Sequence, residues 1–144
     1  MSNEMPNHWR ARTLTELDHV RLGRLVHLRR HAGIDDVAVR AVGEALDDAM
    51  LVPSKKVEPD VVTMNSQLLL REAASGERRK FAVCYPEDAE PQAGFVSVLS
   101  PLGASVVGLR VGDTAVWRTP AGGEQAGEVV AILFQPEASG DYTL

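Results

Sequence analysis

The sequence predicts an α+β protein in which a pair of helices precedes an antiparallel sheet of about five strands carrying one short helix. Three observations carry that expectation. Up to residue 56 apolar side chains recur at helical three- and four-residue steps, with Trp9 as the single aromatic. After it the apolar residues alternate as in strands, and the other six aromatics appear, Phe81, Tyr85, Phe95, Trp117, Phe134 and Tyr142. Charge changes at the same place: residues 1–56 hold nine Lys plus Arg against eight acids, and residues 57–144 hold six against twelve.

Composition bounds the function. At 144 residues, 44% hydrophobic and 24% charged, the chain can build one core of ordinary size and not two. A net charge of -5 argues against free nucleic acid as the main partner and leaves DNA at most an accessory contact. Cys84, the single cysteine, cannot form an internal disulfide. No secretory h-region and no apolar run of about eighteen residues is present, so the cytoplasm is the expected compartment and no membrane the expected partner.

Residues 1–12 show no period and read as a lead-in that is free to move. Thr13-Leu-Thr-Glu16 has the form of a capping box, which predicts a helix starting there with Leu14, Leu17, Leu25 and Leu28 on one face and Arg21 interrupting the stripe. The helix should end between Arg29 and Gly33, and Asp35 or Asp36 should cap a second helix with the stripe Ala38, Ala41, Val42, Ala45, Ala49 and Met50. Residues 13–52 then form a short antiparallel helical hairpin, a small coiled coil whose arm is about 25 Å long at 1.5 Å per residue. Pro53 to Pro59 reads as a short linker.

In residues 60–144, Val61–Thr63 and Gln67–Arg71 look extended, Ser75-Gly76 is a turn, and Arg78–Tyr85 is the partner strand. An acidic loop leads to a strand over Phe95–Leu99. Ser100 as N-cap, Pro101 at the first helical position and Gly108 as terminator predict a short helix. Val111-Gly-Asp113 is a turn, Thr114–Arg118 a strand, Pro120–Gly123 a tight connection and Glu128–Phe134 the last strand.

Ser100-Pro-Leu-Gly103, Gly108, Val111-Gly-Asp113, Thr119-Pro120 and Gly122-Gly123 together resemble the C-terminal domain of the GreA/GreB transcription elongation factors. Asp60-Val-Val-Thr-Met-Asn-Ser66, Tyr85-Pro86, Gln135-Pro-Glu-Ala138 and Gly140-Asp-Tyr142 further resemble one branch of that family, the regulators of nucleoside diphosphate kinase. The resemblance implies an FKBP-like fold for the second part and an RNA polymerase partner, with that domain docking at the rim of the secondary channel and the hairpin pointing inward. It places docking on Ser100, Pro101, Leu102, Gly103, Gly108, Val111, Gly112 and Asp113. In Gre factors an Asp-x-x-Glu tip helps hold a catalytic Mg²⁺; here Asp35 and Asp36 are followed three residues later by Ala38 and Val39. The expectation is therefore a non-enzymatic regulator that competes with Gre-type factors without stimulating RNA cleavage, with no cofactor, no catalytic residue and no metal site. Two alternatives stay open: cleavage through Asp35 or Asp36, and a peptide-binding or prolyl isomerase module.

The remaining candidates have plainer readings. Arg29, Arg30 and His31 at the tip either face a partner or complement a helix C-terminus. His27 and His31 have an i, i+4 metal spacing without a His-Glu-x-x-His pattern or nearby Cys. Cys84 reads as a small core hydrophobe, and Trp117 and Phe134 as packing residues. Ser100–Gly112 lacks the spacing of a phosphate loop.

Overall fold

The structure is a computed structural model and describes residues 12–143; the lead-in, Arg12 apart, lies outside the described residues. Strand β1, Thr13–Thr15, leads directly into α1, Glu16–His31; α2, Val37–Asp48, is followed by β2, Met50–Val52. β1 and β2 pair in parallel, Thr13 opposite Met50 and Thr15 opposite Val52. The capping box at Thr13 is thus overturned. Strand pairing takes up Thr13, and the helix starts two residues later: Thr15 is the N-cap, and its hydroxyl accepts the Asp18 N–H at 3.0 Å.

The buried row of α1 is Asp18, Leu22 and Val26, not the leucine stripe, and Leu28 is 57% exposed. The helix is rotated so that Asp18 faces the loop before the main sheet. α2 buries Ala38, Val39, Val42, Gly43 and Ala45, close to the expected stripe, while Met50 lies in β2 and is exposed. The helices run in opposite directions: His19 near the start of α1 donates to the Leu46 carbonyl near the end of α2 at 3.0 Å, and Arg30 at the other end reaches Asp35.

The main sheet comprises β3 (Gln67–Glu72), β4 (Arg78–Cys84), β5 (Phe95–Ser97), β6 (Thr114–Arg118) and β7 (Glu124–Phe134), in the order β5-β4-β3-β7-β6. It is mixed rather than antiparallel. The loop between β4 and β5, with 3-10 turns at Pro86–Asp88 and Pro91–Ala93, carries the chain back along the sheet, so β5 lies parallel to β4. Val61–Thr63 is not a strand either: its backbone bonds to the segment after the short helix, Val62 N–H to Leu109 O and Gly108 N–H to Val62 O, both at 2.8 Å. β7 begins four residues earlier than expected, because Glu124–Gln125 pair with Trp117–Arg118 and extend the ladder to the turn.

Helix α3, Pro101–Val106, lies against the sheet, and α2 packs on α3. One continuous core results, from Leu22, Val26, Val39 and Val42 through Leu102, Ala104 and Val106 to Leu68, Leu70, Val83 and Val129. Burial of this apolar surface is the main stabilising contribution. Arg12 closes the seam, its guanidinium donating to the carbonyls of Ala104 at 2.6 Å and Val107 at 3.1 Å near the end of α3. Gly108 sits at φ +82° with a Cβ position 2.9 Å from Arg12 Cβ and 3.1 Å from Thr13 O. Gly108→Ala should cost about 1–3 kcal/mol, from the left-handed backbone and the crowding together, read as a lowered urea midpoint.

Candidate functional site

Three places could meet a partner or orient one. The first is the tip between α1 and α2. Asp36 caps α2, its carboxylate accepting the Val39 N–H at 3.0 Å. Asp35 pairs with Arg30, Oδ1 to Nε at 3.2 Å, in solvent that makes the pair worth at most about 1 kcal/mol. The Arg30 guanidinium also lies over Gly43, where a Cβ would come within 2.9 Å of it. Both acids and Arg30 are therefore engaged in closing the tip; Arg29 is half-buried beside them. The His27 and His31 rings stack with centroids 6.2 Å apart, and among the described residues no three His, Cys, Asp or Glu side chains gather around a common point.

The second place is the joint between the helices and the sheet, which sequence reasoning missed. Asp18, 1% exposed, accepts the Met64 N–H at 3.0 Å. Burial raises its carboxyl to about 6 despite that bond, with the Glu137 charge adding to the rise. Glu137 accepts the Thr63 hydroxyl at 2.6 Å, and Ser66 Oγ accepts the Thr63 N–H and bonds the Thr63 hydroxyl, each at 2.9 Å. Gln135 donates to the carbonyls of Glu58 and Val61, both at 2.8 Å. Burial also pushes the Tyr85 phenol up, with the Asp18 charge second. The branch-like segments 60–66, 85–86 and 135–138 thus converge on one buried polar joint that fixes α1 against the sheet. A polar residue in the buried row of a helix, Asp18 four residues before Leu22, was the available signal. Cys84 is buried nearby, its thiol donating to the Val96 carbonyl at 3.5 Å and raised by burial.

The third is a surface groove of about 310 Å³ beside the start of α3, lined by Ser100, Pro101 and Leu102 together with Arg79, Trp117, Arg118, Thr119, Pro120 and Gln125. The structure splits the expected docking set. Ser100, Pro101 and Leu102 line this groove; Val111, Gly112 and Asp113 do not. Leu102, Gly103, Gly108 and Asp113 are buried. Gly103 admits the close pass of α3 over Ser97–Val98, and the Asp113 carboxylate accepts the Arg110 N–H at 2.9 Å. Pro101, Val111 and Gly112 are the exposed members. Arg79 and Arg118, from different strands, have no signature in the sequence.

This arrangement, with a helical pair fixed to a sheet domain and a Ser-Pro-Leu-Gly helix start beside a groove, can be set beside known proteins. The family described as "Transcription elongation factor, GreA/GreB, C-term" matches residues 56–134. The chain belongs to the GreA/GreB family. It is 36% identical over 131 residues to the protein of Escherichia coli (strain K12) named regulator of nucleoside diphosphate kinase, covering 91% of this chain and 95% of that one. It is 30% identical over 94 residues to transcription elongation factor GreA of Geobacillus kaustophilus, covering 65% of this chain and 59% of that factor. Among solved structures, a GreA/GreB elongation factor from Nitrosomonas europaea superposes with a TM-score of 0.70 at 27% identity, covering 87% of this chain and 99% of that one. This GreA/GreB-family chain is a transcription-factor-like regulator by that homology, and among the described residues no helix is long and apolar enough to cross a membrane.

Proposed function

We propose that the protein binds RNA polymerase near the secondary channel, its FKBP-like sheet domain docking through the groove beside Ser100–Leu102 and its helical hairpin directed inward. It acts by occupancy, displacing Gre-type factors without stimulating transcript cleavage. The observation that carries this reading is the state of the tip: Asp36 is committed to the α2 cap and Asp35 to Arg30. Both carboxylates are engaged within the tip, and neither is followed three residues later by the second acid of an Asp-x-x-Glu pair. Any effect on a nucleoside diphosphate kinase, which the Escherichia coli relative is named for, is in this reading an indirect consequence of altered transcription.

The test is binding of the labelled protein to core RNA polymerase, with unlabelled GreA as competitor, followed by incubation with stalled, backtracked complexes. Saturable binding displaced by GreA is expected, with no shortening of the RNA. Shortening that disappears in the Asp35→Ala, Asp36→Ala double variant would reverse the non-catalytic half of the reading. Absence of binding at micromolar protein would reject the partner.

A further inference from the structure

We infer that the groove beside α3 selects an acidic protein segment, recognised by Arg79 and Arg118 over an apolar floor of Trp117, Pro101 and Pro120. This rests on the proposed function, in which the segment belongs to RNA polymerase, and adds what chemistry that segment must have. Every hydroxyl at the groove is already used. Ser100 Oγ donates to the Ser97 carbonyl at 2.7 Å and accepts the Gly103 N–H at 3.1 Å. Thr119 Oγ1 donates to the Gly123 carbonyl at 3.3 Å. The polar side chains left to read a ligand are two guanidiniums and the Gln125 amide, and among the described residues no Asp or Glu lines the groove.

What sets these two arginines apart is their place at the groove, since Arg24, Arg29, Arg40 and Arg78 also lack a partner among the described residues but do not line it. Arg30, Arg71 and Arg110 each have a carboxylate partner, and Arg12 is spent on α3. Arg79 and Arg118 are exposed and make no ion pair or hydrogen bond among the described residues; Glu124, the register partner of Arg118, does not pair with it. Two unpaired cations on a chain of net charge -5 form a local field of opposite sign to the rest. Guanidiniums bind carboxylates through paired N–H groups, and Trp and Pro surfaces take an apolar side chain between them. Two cations are too few for a nucleic acid backbone, whose binding needs many phosphate contacts. The volume accommodates one or two side chains of a chain lying across it, not an enclosed cofactor.

The experiment measures binding of three proteins to core RNA polymerase across a salt series: wild type, the Arg79→Glu, Arg118→Glu double variant and the Arg79→Gln, Arg118→Gln double variant. Charge reversal should weaken binding about tenfold or more. The glutamine pair should weaken it less and flatten the salt dependence. Circular dichroism melts establish that each variant is folded, and if charge reversal unfolds the chain the glutamine pair decides. A photo-crosslinker at Gln125 should label a polymerase segment rich in Asp or Glu. Unchanged affinity in both variants, or a label on a neutral or basic segment, overturns the inference while leaving polymerase binding in place. No binding by the wild type overturns the proposed function itself, and this inference with it.

Discussion

Gly103→Ala is expected to destabilise the protein by about 3 kcal/mol, more than most single changes in its core. Gly103 lies in α3 where the helix crosses the end of β5. An added Cβ would fall on the Ser97 carbonyl oxygen, 2.7 Å from the Ser97 carbonyl carbon and 3.0 Å from Val98 Cα. All three atoms are backbone, so no side chain can swing aside. The helix cannot retreat cheaply, because Ser100 bonds both the Ser97 carbonyl and the Gly103 N–H, locking α3 to the segment it would need to leave. Alanine gains about 1 kcal/mol of helix propensity over glycine, which the clash outweighs. Urea titration followed by far-ultraviolet dichroism measures the difference, and a loss below about 1 kcal/mol would show that α3 can lift from the sheet.

The second large effect is a pH dependence carried by Asp18. Its folded-state carboxyl lies at about 6, against an ordinary value of 3.8. A raised carboxyl means the folded protein holds the proton more tightly than the unfolded chain. Its contribution is full below pH 4 and is lost as pH rises through about 6, a fall of about 2–3 kcal/mol that then levels off. Asp18 faces Glu137, which adds to the shift, and Arg21 and Thr15, which oppose it, with the Met64 N–H as the strongest opposing contact. Asp18→Asn keeps an oxygen for Met64 and removes the charge, so the slope between pH 4 and 7 should flatten and stability at pH 7 should rise. Asp18→Ala leaves the Met64 N–H buried without an acceptor and should cost about 1–3 kcal/mol at low pH. Denaturation midpoints for the three proteins at the two ends of the window suffice. A slope of equal size in Asp18→Asn would assign the titration to other groups.

Local signals were legible wherever the residues that decide a feature are neighbours in sequence. Ser100, Pro101 and Gly108 bound α3 as their chemistry requires, and Asp36 caps α2. β3, β4 and β6 follow their alternation. What was not legible depends on partners distant in the chain. Thr13–Thr15 becomes a strand because Met50–Val52 lies beside it, and Thr15, two residues onward from the expected cap, takes over the helix start. Asp18 shares a helix face with Leu22, but the backbone N–H of Met64 that receives it lies far away in the chain. The direction of β5 follows from the path of the loop before it. Ser100–Leu102 are contiguous in the sequence, but the arginines that line the same groove come from two strands that meet only in the fold.

The parallel pairing of β1 with β2 brings the two ends of the helical pair side by side at its base, so everything between Thr15 and Met50 is a loop closed by its own clasp. Loop-closure cost grows only slowly with length. A longer or shorter pair of helices can therefore be spliced in above the clasp without re-registering the sheet, provided the first turn retains Asp18 and its neighbours. Arm length and sheet register are separable in this architecture: how far the arm extends is set by an interchangeable insert, and the sheet body is left as it is. Chimeras carrying arms of graded length on this body should therefore fold with the same sheet, a series that differs in reach alone.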